Sequence, residues 1–168
     1  MPDYNGLAFA NAFLAGKVQP FAYPVEDSKP FHALASSYSE RNSAVESAVM
    51  ELAHGSCHAL TVALAKALDV RRVVVITDNG LPIHSGLFDP VRQLILDANG
   101  VHSVAGAEAF WSGVVRNACK AREMIIDDLL SYSGCDESDA ALALEDFDLI
   151  AQFIYDEHLI SAPLDASV

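Results

Sequence analysis

The sequence predicts an α+β fold, a three-stranded antiparallel sheet packed with about five helices in one domain. Three observations predict it. Apolar residues recur at helical spacing in several stretches, as Leu60, Leu64 and Leu68 do. Residues 71–97 hold short apolar runs instead, separated by the turn signals Asp78-Asn79-Gly80 and Asp89-Pro90-Val91-Arg92. No linker, repeat or low-complexity tract divides the 168 residues, a length that suits one core. The expected organisation is N-terminal helices with a Pro-rich loop over 1–53, a core over 54–100, and C-terminal helices over 101–168.

In chain order, residues 7–16 read as a short apolar helix closed by Gly16. Residues 17–38 carry Pro20, Pro24 and Pro30 among Phe21, Tyr23 and Phe31, an irregular segment packed by its aromatics. Val45, Val49 and Leu52 mark an amphipathic helix over 40–53, with Gly55 as its stop. Ser56 is placed to cap the next helix, Cys57 to Leu68, whose buried stripe takes in Cys57 itself. Arg71 to Thr77, Ile83 to Phe88 and Gln93 to Asp97 form the meander, which Asn99-Gly100 ends. Residues 105–133 read as one long helix bent near Gly113, with Phe110 and Trp111 anchoring it to the core. Residues 137–160 give a last helix whose acidic start suits the helix dipole.

Ten basic against twenty-three acidic residues leave a net charge of −13. Phosphate backbones and anionic membrane surfaces are repelled, so neither nucleic acid nor membrane is an expected partner. A protein or peptide substrate with basic character fits the charge better. Three cysteines without regular spacing make no disulfide framework. With no basic-plus-apolar leader and no uncharged apolar run of about 20 residues, the expectation is a cytoplasmic protein.

The chemistry concentrates in Cys57, His84 and Asp97. Folding Asp89 to Arg92 as a hairpin loop of two or four residues puts His84 opposite Asp97 on one sheet face. Opposed Cβ atoms lie about 4.5–5.5 Å apart, a separation that lets a carboxylate accept a hydrogen bond from an imidazole. Cys57 lies upstream in Gly55-Ser56-Cys57-His58, where a helix begins. A helix N-terminus and a neighbouring imidazolium both favour a thiolate.

A Cys at a helix start, then a strand His, then an Asp on the next strand, resembles the papain-like and transglutaminase-like cysteine enzymes over residues 53–100. The resemblance implies acyl transfer from an amide or thioester, with Cys57 as nucleophile, His84 as base and Asp97 as its orienter, and no cofactor. It implies a peptidase, deamidase or transglutaminase-like activity. Two departures stand out: His58 follows the nucleophile where an aromatic is common, and the upstream oxyanion Gln has no placed equivalent, with Gln19 and His54 as candidates. Two other readings use the same residues. His54, Cys57, His58, His84 and Asp97 are all zinc-competent, and the scaffold also suits a catalytically silent interaction module. His32, His102 and His158 read as solvated, Cys119 as a thiol within the long helix, and Cys135 as an exposed free thiol. Asp136, Glu137 and Asp139 read as a solvated helix start rather than a calcium loop.

Overall fold

The computed structural model describes residues 5–18, 44, 47, 48, 51, 52, 55–98 and 100–156, with side chains to 152. Its architecture is α+β. In chain order the elements are α1 (Gly6–Leu14), α2 (Cys57–Ala67), β1 (Arg72–Asp78), β2 (Leu81–Asp89), β3 (Leu94–Asp97), β4 (Gly100–Ser103), α3 (Val104–Val115), β5 (Lys120–Ile125), α4 (Ile126–Ser133) and α5 (Glu137–Asp156). Residues 44, 47, 48, 51 and 52 are helical as well, on the stretch expected to form a helix over 40–53. The aromatic Pro-rich segment beyond Val18 and the end of the last helix lie outside the described residues.

The sheet has five strands rather than three, in the order β4-β3-β2-β1-β5. Every neighbouring pair is antiparallel. The expected meander forms its centre. β1 and β2 meet through the two-residue turn Asn79-Gly80, both at positive φ, as the Asn-Gly signal demands. The two extra strands flank it. β4 pairs Ile95 with His102 and Asp97 with Gly100. β5 replaces the middle of the expected long helix: Arg116 closes α3 in the left-handed conformation, and Lys120 to Ile125 then pair along β1.

Both sheet faces are covered, which is why the strands read as unbroken apolar runs. Val73, Val75, Leu87 and Leu96 face a core shared with Phe13 of α1, Leu60 and Leu64 of α2, Leu129 of α4 and Phe147 of α5. Val74, Ile76, Phe88 and Ile95 face a smaller cluster under Ala107 and Trp111 of α3. Cys119 belongs to this second cluster, in the connection before β5 and not within a helix. Cys135 is half-buried rather than exposed. The acidic start of α5 is a reciprocal cap: Asp136 N–H donates to Asp139 and Asp139 N–H to Asp136, each at 2.9 Å. No described helix is long and apolar enough to cross a membrane.

Candidate functional site

The β2–β3 hairpin sets the site, in a register two residues from the expected one. Its loop has four residues, and Asp89 pairs with Leu94, Phe88 with Ile95 and Leu87 with Leu96. Continuing that register, Asp97 falls opposite Gly86, so His84 and Asp97 are diagonal rather than directly opposed. An even slip keeps both on one face. A side chain as long as His spans the diagonal, and His84 Nε2 lies 2.7 Å from Asp97 Oδ2. Gly86 makes the close crossing possible: a Cβ there would meet Ile95 Cγ2 at 2.5 Å and the Leu96 carbonyl oxygen at 2.6 Å.

Asp97 serves two imidazoles. His102, expected to be solvated, stands on β4 with its Nε2 2.9 Å from the same Oδ2. Burial would raise the Asp97 pKa, but the charge and hydrogen bonds of His102 and His84 overcome it and hold the carboxyl far below its usual range. His84 is 1% exposed and stacks on Trp111 with ring centroids 4.7 Å apart. Trp111 therefore anchors α3 through the candidate site. Burial alone would strip the proton from His84; Asp97 and then Cys57 reverse this and push its pKa well up.

Cys57 is the first residue of α2, as expected. Ser56 holds the N-cap position without capping the helix, because its hydroxyl is turned to Glu51 Oε1 at 3.1 Å. The thiol is 7% exposed. Burial raises its pKa, yet hydrogen bonding and charge from His58 and His84 outweigh burial and bring it down from 9.0 to about 6. Both shifts favour thiolate and imidazolium over the neutral pair. His84 Nδ1, the nitrogen left over by Asp97, has no hydrogen bond of good geometry. The sulfur acts on the ring without being aligned to it, the loose state common before a substrate binds.

His84 and Ser85 point to opposite sheet faces, and this explains how α2 reaches the site. α2 packs on the Ser85 face, where Ser85 Oγ lies 3.0 Å from Thr61 Oγ1 and 3.4 Å from the Cys57 carbonyl oxygen. β3 pairs only with Leu87 to Asp89 of β2. Upstream, no strand among the described residues pairs with that edge of β2, and Cys57 at the start of α2 acts on His84 there.

Sequence reasoning brought Cys57, His84 and Asp97 together and missed the groups around them. His58 Nδ1 is 3.8 Å from the Cys57 sulfur and 2.8 Å from Ser85 Oγ. His102 had a readable signal, since Val101-His102 after a glycine turn continues the two-residue alternation of a strand. Gln19 and His54 lie outside the described residues. Among the described residues no three metal-ligating side chains are arranged to hold a metal ion. Beside the site opens a cleft of about 450 Å³, lined by Glu51, Ser56, His58, Cys135, Asp139 and Asp146 among others. Compared with protein-family models, with curated proteins and with solved structures, the chain matches none.

Proposed function

We propose that the protein is a cysteine-dependent hydrolase or acyltransferase that acts on an amide or thioester, with Cys57, His84 and Asp97 as its triad. The observation that carries this reading is the buried line from the α2 N-terminus through His84 to Asp97, with the carboxylate 2.7 Å from the ring. The thiolate attacks the carbonyl carbon and the carbonyl oxygen takes the negative charge. First-turn N–H groups of α2, which no side chain caps, stabilise that oxyanion. The tetrahedral adduct collapses, the leaving group departs with the proton that His84 held, and a thioester remains on Cys57. Asp97 keeps the imidazole oriented throughout. Glu51, Asp139 and Asp146 on the cleft wall favour a substrate with a cationic side chain. Burial raises the Asp146 pKa, and repulsion from Glu51 and Glu145 raises it further, so a cation there relieves the crowding.

Incubation with p-nitrophenyl acetate tests the reaction class. A burst of p-nitrophenol should accompany an acetyl group that mass spectrometry maps to Cys57. Cys57→Ala should abolish the burst, and His84→Ala should slow it by about 100-fold or more. Acetylation at Cys135 alone, or an unchanged burst in Cys57→Ala, would sink the proposal.

A further inference from the structure

We infer that His58 is the general base of the second half-reaction, taking a proton at Nε2 from the acyl acceptor as it attacks the Cys57 thioester. The inference rests on the thioester chemistry proposed above and assigns a step that chemistry leaves open.

A donor count fixes which nitrogen is free. Thr61 donates its hydroxyl to the Cys57 carbonyl oxygen at 2.9 Å, and Ser85 donates to Thr61 Oγ1 at 3.0 Å. Ser85 has then spent its only hydrogen. With the hydroxyls so oriented, the 2.8 Å contact between His58 Nδ1 and Ser85 Oγ carries the imidazole's proton, with Nδ1–H the donor. The same N–H faces the sulfur at 3.8 Å. In the neutral ring Nε2 is consequently the bare acceptor, and among the described residues no group bonds it. Tyr132 holds the ring edge-on, with centroids 5.9 Å apart. His58 lines the 450 Å³ cleft, whereas His84 does not. His84 is buried beneath Trp111 with Nε2 committed to Asp97. An acceptor entering by the cleft meets His58 first.

The step balances. The acceptor's O–H or N–H bond breaks and its proton goes to His58 Nε2, while its lone pair forms the bond to the thioester carbon. Collapse breaks the C–S bond, and the departing sulfur takes the Nδ1 proton of His58. The thiol passes this proton to His84, which gave its own to the leaving group, and the ion pair is restored. Exchange with solvent returns His58 to its resting tautomer.

Pre-steady-state kinetics with p-nitrophenyl acetate separate the two half-reactions. His58→Asn keeps an N–H in the place of Nδ1 for Ser85 and removes the base. At pH 9, where the thiol ionises without help from His58, its burst should stay within about threefold of wild type, while steady-state turnover falls about 100-fold. Imidazole in the buffer should restore turnover to His58→Ala. Unchanged steady-state turnover, or a burst lost together with turnover, would overturn the inference. Unfolding of both variants would make His58 structural and overturn it equally. A wild-type enzyme with no burst at all would instead remove the thioester reading beneath it.

Discussion

Burial by itself would make Cys57 an inert core thiol, because a desolvated thiolate is costly. Two imidazoles reverse that sign, and Asp97 keeps one of them protonated. The consequence is measurable. Iodoacetamide should label Cys57 faster than the other thiols at pH 7, and the rate should halve near pH 6, where the thiol titrates. Cys119 should lag, since burial raises its pKa against an opposing hydrogen bond with Ser112, and Asp78 adds to the rise. Asp97→Asn removes the charge that holds the His84 proton. The half-rate point for Cys57 should then move up toward the ordinary thiol value of about 8.5, and labelling at pH 7 should fall about tenfold. A half-rate point that stays near pH 6 in Asp97→Asn would show that Asp97 does not support the thiolate. The chemical types at these three positions were legible from the sequence. The contacts of His58 and His102 were not, because an imidazole's role depends on which nitrogen a partner engages, and the partners come from distant segments.

Helix starts, the Asn79-Gly80 turn and the central hairpin follow local rules, so the sequence displays them. The β2–β3 register did not follow local rules, because the loop offered two equivalent lengths and the observed pairing starts one residue later in sequence on both strands, Asp89 with Leu94 instead of Phe88 with Gln93. An even slip spared the site, since His84 and Asp97 stayed on one face. β5 was unreadable for a different reason. It is an edge strand rich in Lys120, Arg122 and Glu123, the charges that protect an edge from mispairing. Those charges resemble an exposed helix face, and Arg116 in a left-handed turn gives no Gly or Pro warning. At this scale Gly86 is the sensitive position. Gly86→Ala should push β3 off β2, because the new Cβ meets backbone that has no rotamer to yield. The expected cost is about 1–3 kcal/mol of stability, read as a lower urea midpoint. The labelling half-rate point of Cys57 should rise along with it as Asp97 is carried away from His84. A lower midpoint with unchanged labelling would separate packing from site geometry.

For the whole molecule, the site leaves a signature in stability against pH. His84 has a raised pKa in the folded state, so its contribution is complete below its unfolded value of about 6.5 and fades as pH rises. Cys57 has a lowered pKa, so its contribution is complete above about 9 and fades as pH falls toward 6. Asp97 contributes above about 4 and loses its contribution only in acid. Between pH 6.5 and 9 the first two oppose each other. Folding moves one proton from thiol to imidazole inside the protein and takes none from solvent. The urea stability of the wild type should therefore be flat across this window as far as the site is concerned. Cys57→Ala breaks the compensation: folding must then draw the His84 proton from solvent. Its stability should fall with rising pH above 6.5, with a slope of up to about 1.4 kcal/mol per pH unit. His84→Ala leaves His58 as the support of the thiolate, so the thiol ionises with no His84 to take its proton, and stability should rise with pH over the window. Urea midpoints of the three proteins at half-unit steps from pH 5.5 to 9 decide the matter. A wild type that slopes like Cys57→Ala would mean that no thiolate–imidazolium pair exists in the folded protein.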